Sequence, residues 1–291
     1  MSNNDPTQAV HLALPKGRIQ EGVLGILREA GIRVNASVRG YRPTLSLAGF
    51  ETKLLKPQNI VEMLAVGSRD VGFAGADWVQ EKGADLVELL DTQLDPVQLV
   101  AAAPRELLKN GQLPRRELRV ASEYERLTRD WMDQRGIQGP FVRTYGATEV
   151  FPPEDADVIV DNTATGATLV ANGLVIVEQV MRSSTRLFAN PRSLADPAKR
   201  ECIDNLVLVL ESVLQARSRA MVEMNVSAAK LDEVVEALPS MREPTVAGLR
   251  SGGGFAVRAA VPRADLPRLV PTLKARGATD IVVSRPEQIV P

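Results

Sequence analysis

Apolar residues follow two rhythms along this chain. Val10, Leu12 and Leu14 recur at every second position, as on one face of a strand. Pro15-Lys16-Gly17-Arg18 breaks that alternation, and Val23, Ile26, Leu27 and Ala30 then recur at helical spacing up to Gly31, which predicts a helix closed by a left-handed glycine. Ile60, Met63 and Leu64 mark a second helix face, and residues 70–74 a short strand ending at Gly75. A further apolar strand through Gln98-Leu99-Val100-Ala101 stops at Pro104 and opens a second unit, in which residues 118–121 resume as a strand. Ser122-Glu123-Tyr124-Glu125 has the capping-box form, a hydroxyl followed three residues on by a carboxylate, and predicts the start of a helix that carries Leu127 and Trp131 and stops at Gly136. Residues 157–160 read as a buried strand, again followed by a loop and a helix. Such alternation predicts α/β lobes built on mostly parallel sheets.

The clearest boundary lies at residues 215–219, after a helix bearing Ile203, Leu206, Leu210 and Leu214. Beyond it, residues 220–226 read as a strand and Leu231, Val234, Val235 and Leu238 as a helix stripe. Residues 245–249, the Gly252-Gly253-Gly254 turn and the alternation Phe255, Val257, Ala259, Val261 predict two more strands. Leu266, Leu269, Val270 and Leu273 repeat the helix stripe, and residues 281–283 close the unit as a strand. The order β-α-β-β-α-β is ferredoxin-like.

A length of 291 residues agrees with two or three units, since single cores seldom grow past roughly 200 residues. With 35 basic and 36 acidic side chains, no global field favours nucleic acid or an anionic membrane, so any polyanion has to be bound locally. The single cysteine, Cys202, cannot form an intramolecular disulfide, and no Cys/His cluster has metal-ligand spacing. Polar opening residues without a basic-then-apolar run, and the lack of any long apolar stretch, make a cytoplasmic protein the expectation.

Residues 157–169, Asp-Val-Ile-Val-Asp-Asn-Thr-Ala-Thr-Gly-Ala-Thr-Leu, carry the most chemical information. A strand delivers the chain to a turn of small and hydroxyl residues, with a helix starting at Gly166 or Ala167. The amides there, with the hydroxyls of Thr163, Thr165 and Thr168, suit a phosphate. Each such charge-assisted bond contributes about 1.5 to 3 kcal/mol, so four or five hold a phosphate without a basic patch. Asp161 would repel that phosphate and suits ribose hydroxyls, or a magnesium ion carried in by a pyrophosphate. Gly146-Ala147-Thr148-Glu149 is a second small-residue turn that would face the same ligand through Glu149. Lys16, Gly17 and Arg18 follow the first strand where open sheets place ligands, and Lys56 and Gly75-Ala76-Asp77 are similar cases. His11 reads as structural.

The Thr-x-Thr-Gly-x-Thr turn after an acidic residue resembles phosphoribosyl pyrophosphate loops. Purine and orotate phosphoribosyltransferases usually place two adjacent acids here, whereas this chain has Asp161-Asn162. Leu12-Ala13-Leu14-Pro15-Lys16-Gly17-Arg18, Asp70-Val71-Gly72-Phe73-Ala74-Gly75-Ala76-Asp77 and Gly166-Ala167-Thr168-Leu169-Val170-Ala171-Asn172-Gly173-Leu174 resemble ATP phosphoribosyltransferases in content and order. Arg242-Glu243-Pro244-Thr245-Val246 and Gly277-Ala278-Thr279-Asp280-Ile281 resemble the regulatory domain of the family's long form.

The resemblance implies a two-lobed catalytic region like periplasmic solute-binding proteins, with residues 1–97 plus 184–215 as lobe I and 98–183 as lobe II. A histidine-binding domain over 216–291 follows. It implies ATP at Lys16, Gly17, Arg18, Lys56, Gly75 and Asp77, and phosphoribosyl pyrophosphate at Glu149, Asp161, Thr163, Ala164, Thr165, Gly166, Ala167 and Thr168. Inhibitory histidine is expected at Asn225, Thr245, Leu249 and Ala278, although the first is often acidic in relatives. Mg2+ and a homo-oligomer, dimer or hexamer, are implied as well. The alternatives are transfer to a different base, or a non-catalytic amino-acid sensor or solute-binding protein of the same two-lobed fold.

Overall fold

The computed structural model describes residues 9–35, 40–250 and 252–290, so the expectation about the opening residues 1–8 lies outside the described part. Two compact units divide the chain: residues up to Gly25 with Ile32–Asp204, and Ile26–Gly31 with the residues from Asn205 onward.

The first unit is built on one eight-stranded sheet. In chain order its elements are β1 (Val10–Pro15), α1 (Gln20–Glu29), the short pair β2 (Val34–Asn35) and β3 (Thr44–Leu45), β4 (Phe50–Leu55), α2 (Pro57–Ala65), β5 (Val71–Gly75), α3 (Ala76–Lys82) and β6 (Val87–Pro104). Then come β7 (Val120–Ser122), α4 (Glu125–Arg135), β8 (Phe141–Arg143), β9 (Val158–Thr163), α5 (Ala167–Ala171), β10 (Leu174–Ala189), α6 (Pro191–Ala195) and α7 (Pro197–Ser218), the last running on into the second unit. The expected helix stops hold: Gly31 after α1 and Gly136 after α4 both take the left-handed conformation. Pro57 opens α2, where its missing N–H removes nothing the helix needs.

In strand order β4-β1-β5-β10-β6-β9-β7-β8, four of the seven neighbouring pairs are parallel, in keeping with the expected mostly parallel sheet, and the three at its centre are antiparallel. Two parallel triplets, β4-β1-β5 and β9-β7-β8, flank a centre in which β10 runs antiparallel to β5 and β6, and β6 antiparallel to β9. The parallel triplets are legible because their strands are apolar throughout: residues 12–15 of β1, 71–74 of β5 and 158–160 of β9 are all buried. The long antiparallel pair β6–β10 is not, because Asp91, Gln93, Asp95, Glu178, Gln179 and Arg182 interrupt its apolar positions. The expected lobe limits fall inside these two strands, with Val97 paired to Ser183 and Gln98 to Arg182.

The second unit holds the end of α7 and a four-stranded sheet. Its elements are β11 (Arg219–Val226), α8 (Leu231–Val235), β12 (Thr245–Gly248), β13 (Phe255–Pro262), α9 (Leu266–Ala275) and β14 (Thr279–Ser284). Strand order β12-β13-β11-β14 with antiparallel neighbours is the ferredoxin-like arrangement the periodicity predicts. Alternate residues of β11, Val222, Met224 and Val226, pack with Val234, Leu238, Val257, Leu269 and Leu273 into one core. α8 is shorter than its apolar stripe: the helix ends at Val235, and Leu238 reaches the core from the turn beyond. No linker separates α7 from β11, which begins one residue after the helix ends.

Candidate functional site

Carboxyl ends of the parallel strands gather the residues singled out in the sequence. Pro15 pairs with Leu55, and the Lys16 amide donates to the Leu55 carbonyl at 2.8 Å, so Lys16 and Lys56 leave neighbouring strands side by side. Gly75 ends the third strand of the triplet. Gly17 has a φ of 83°, a left-handed turn that glycine enters without strain. The Lys16 ammonium lies 3.3 Å from the centroid of the Tyr41 ring, and Arg18 reaches towards Asp95 at 3.9 Å.

Asp77 behaves differently from these exposed cations. Its carboxylate is 5% exposed and both oxygens are used: Oδ1 accepts from the Ser183 hydroxyl and Oδ2 from the Tyr124 hydroxyl, each at 2.7 Å. A Cβ on Gly75 would stand 2.1 Å from Asp77 Oδ1, so only glycine lets the carboxylate fold back this way. The Tyr124 hydroxyl in turn accepts from Asn162 Nδ2 at 2.9 Å, and its ring stacks on Trp78 with centroids 4.6 Å apart. Burial and the Asp77 carboxylate raise the Tyr124 hydroxyl far above the ordinary phenol range, so it keeps its proton.

In the other triplet, β7 leads to Glu123, β8 to the Gly146–Glu149 turn, and β9 to the threonine loop. The Asp161 carboxyl is pushed up to about 6, first by burial and then by the Glu123 and Glu149 carboxylates, while the Asn162 amide (2.7 Å) and the Thr148 hydroxyl oppose the shift. Thr148 is itself buried and shares a 2.8 Å hydrogen bond with Thr144. Burial likewise raises Glu123, against the pull of Lys56 and Arg143. Lys56 therefore acts across from one triplet onto an acid of the other. Glu123 escaped the sequence reading, where it looked like an interior member of a capping box.

That capping box is itself corrected. α4 starts after Tyr124; Ser122 Oγ accepts the Tyr124 amide at 2.9 Å and donates to the Val160 carbonyl at 2.5 Å, tying β7 to β9. The first amides of the helix are instead capped by Glu81 of α3, whose oxygens accept from Arg126 and Leu127 at 3.2 and 3.0 Å. A cap 45 residues away along the chain leaves no local signal.

The loop itself turns at Gly166, whose φ is 77°. Its amide donates to Thr163 Oγ1 at 2.8 Å, and the Ala167 amide to Thr165 Oγ1 at 3.3 Å. The protein thus uses two of the loop's amides itself. No hydrogen bond within the described residues takes the amides of Ala164, Thr165 or Thr168, and all three residues are exposed. Both threonines that cap amides do so with lone pairs, leaving their O–H groups free to donate. With five residues α5 has little macrodipole, so the discrete N–H and O–H groups carry the loop's affinity for an anion. Among the described residues no cluster of three His, Cys, Asp or Glu could cage a metal ion, and no helix is long and apolar enough to cross a membrane. A cavity of about 1010 Å³ lined by Arg115, Trp131, Arg135 and Glu178 contains none of these residues, so cavity size does not mark this site.

In the second unit, Asn225 pairs with Thr279 across β11 and β14, and its Nδ2 donates to Asp280 at 3.0 Å. Thr245 lies exposed on β12, the Leu249 amide donates to the Gly254 carbonyl, and Ala278 is fully buried in the core, so it offers a ligand backbone only. His11 donates its amide to Asp70 at 2.7 Å, as a structural residue would.

Comparison with known proteins identifies the family. The family model "ATP phosphoribosyltransferase" matches residues 56–212, and the model for the HisG C-terminal domain matches residues 216–287. An ATP phosphoribosyltransferase of Pelotomaculum thermopropionicum is 33% identical over 97% of this chain and 99% of its own. One from Chlorobaculum parvum is 33% identical over 97% of both chains. The solved ATP phosphoribosyl transferase (HisG:HisZ) complex from Thermotoga maritima aligns with a TM-score of 0.63 at 26% identity, covering 71% of this chain and 98% of that one. Two family models in tandem and full-length relatives at this identity place the chain in the ATP phosphoribosyltransferase family, with the family's separate C-terminal domain.

Proposed function

We propose that this pentosyltransferase of histidine biosynthesis holds the 5-phosphate of phosphoribosyl pyrophosphate on Thr163, Ala164, Thr165, Gly166, Ala167 and Thr168, and ATP beside Lys16, Gly17, Arg18, Lys56 and Gly75. The observation that carries this reading is the exposed loop around left-handed Gly166, with three amides and two hydroxyl protons left without a protein acceptor. Asp77, turned inward, supports the ATP side rather than projecting from it. Adenine N1 attacks the ribose C1 with its own lone pair while pyrophosphate leaves, so no side chain has to remove a proton first. Alignment of two polyanions and stabilisation of the departing charge are what remain for the chain to supply.

Asp161, with Glu123 and Glu149 close by and no cage around it, suits a Mg2+ ion that arrives on pyrophosphate and keeps much of its water. In this reading residues 1–97 with 184–215 form lobe I, residues 98–183 lobe II, and residues 216–291 a histidine-binding regulatory domain at Asn225, Thr245, Leu249 and Ala278. Asp280, held ionised by Asn225 and Thr279, supplies there the negative charge that Asn225 itself lacks. The working form is a homo-oligomer, dimer or hexamer, in the cytoplasm. Mixing protein, ATP, magnesium and phosphoribosyl pyrophosphate is expected to give an ATP–ribosyl adduct with release of pyrophosphate. Release that does not depend on ATP would overturn the assignment.

A further inference from the structure

We infer that Asn162, Tyr124, Asp77 and Ser183 form a positioning relay that holds the threonine loop in place against the turn after β5, and that this relay requires an amide at position 162. The inference rests on the loop assignment above. Its starting point is proton accounting on one buried oxygen. The Tyr124 hydroxyl is 1% exposed and has two side-chain partners, Asp77 Oδ2 at 2.7 Å and Asn162 Nδ2 at 2.9 Å. A phenol has a single proton to give, and a carboxylate has only lone pairs to receive it. The proton therefore goes to Asp77, whose other oxygen already takes the Ser183 proton at 2.7 Å. What remains on the phenol is acceptor capacity, so its second partner has to be a donor.

The Asn162 side-chain amide meets that need. A carboxylate at 162 would set lone pair against lone pair and add a negative group beside Asp161, which already feels Glu123 and Glu149. Position matters as much as identity. Asn162 directly precedes Thr163, whose hydroxyl fixes the Gly166 amide at 2.8 Å, so a displaced Asn162 moves the first anchor of the loop. At the far end, Asp77 lies two residues past Gly75 and Ser183 lies on β10, both outside the triplet that carries the loop. The relay thus joins the two sets of strand ends through three buried groups, Tyr124, Asp77 and Ser183, reached from the exposed Asn162.

Inverting the polarity tests it. Asn162→Asp alone leaves the phenol facing two carboxylates with one proton to give, whereas Asp77→Asn alone sets it between two amides, one able to accept its proton while the other donates. Combined, the amide introduced at 77 accepts from Ser183 and donates to Tyr124, which donates in turn to the carboxylate introduced at 162. Asn162→Asp alone is expected to raise the KM for phosphoribosyl pyrophosphate about tenfold, the effect of one unsatisfied buried group, with a much smaller change in kcat, and Asp77→Asn alone to change that KM far less. The double variant is expected to recover most of that loss. Kinetic losses that simply multiply in the double variant, or an unchanged KM in Asn162→Asp, would overturn the relay. Coupling seen in thermal midpoints but not in KM would reduce it to a structural contact and overturn it equally. Should the charge variants fail to fold, Tyr124→Phe deletes one oxygen and is expected to raise the same KM; an unchanged KM refutes the relay. Adduct formation by the wild-type protein separately judges the functional reading.

Discussion

Burial, then Glu123 and Glu149, hold the Asp161 carboxyl at about 6, above its ordinary value, and the sign of the consequence follows from linkage. A carboxyl that binds its proton more tightly when folded adds stability at low pH, and that contribution is lost as pH rises through about 6. Ionised Asp161 therefore destabilises the unliganded protein at neutral pH. Asp161→Asn is expected to raise the thermal midpoint at about pH 7.5 and to lose that advantage near pH 4, a comparison calorimetry can make. The same variant is expected to bind magnesium phosphoribosyl pyrophosphate more weakly, since the charge that costs stability is the one offered to the cation. Gly166 poses a backbone question: a Cβ there would lie 3.6 Å from Ile176 Cδ1, so space is adequate, but the 77° φ strains any other residue. Gly166→Ala adds about 1 to 2 kcal/mol of strain and is expected to raise the KM for phosphoribosyl pyrophosphate by up to roughly tenfold. Unchanged steady-state kinetics would remove the loop from the site.

Helix α4 depends on a carboxylate that belongs to helix α3. Replacing Glu81 with alanine strands the Arg126 and Leu127 amides and is expected to destabilise the protein by about 1 to 3 kcal/mol in urea denaturation. Glu81→Gln, which keeps one acceptor, is expected to lie between. Here the limits of sequence reading are physical. β1, β5, β9 and the turn at Gly166 were legible because apolar runs and a glycine act within a few residues of one another. The Ser122 capping box looked right by spacing, yet its hydroxyl is spent joining β7 to β9, and the actual cap comes from another helix. Glu123, Tyr124 and Ser183 gave no signal for the same reason, since Ser183 meets Asp77 across 106 residues and Tyr124 meets it across 47.

Along the chain, the sequence order of an α/β region followed by a β-α-β-β-α-β unit matches what folds, and the C-terminal family model covers residues 216–287. What the pattern could not give is the sharing of elements. α7 belongs to both compact units, which divide at Asp204 and Asn205 rather than at a linker. A truncation after residue 215 therefore cuts the helix itself, and chromatographic size has to be followed with activity. Loss of histidine inhibition with ATP-dependent turnover retained is the expected outcome; an unaltered histidine titration would rule out a regulatory role for the C-terminal unit.

The long pair β6–β10 carries one further consequence. Both chain crossings between the parallel triplets run through it, hydrogen-bonded to each other from Val87 with Ala189 to Pro104 with Leu174. The ladder is interrupted near Thr185, opposite a stretch where Gln93 and Asp95 take positive φ. Neither half of the sheet can then melt without stripping an edge of the other, which ties their unfolding together despite separate cores. Calorimetry of the catalytic region should register one heat-absorption peak rather than two, with the earliest amide exchange confined to the stretch around Gln93 and Asp95.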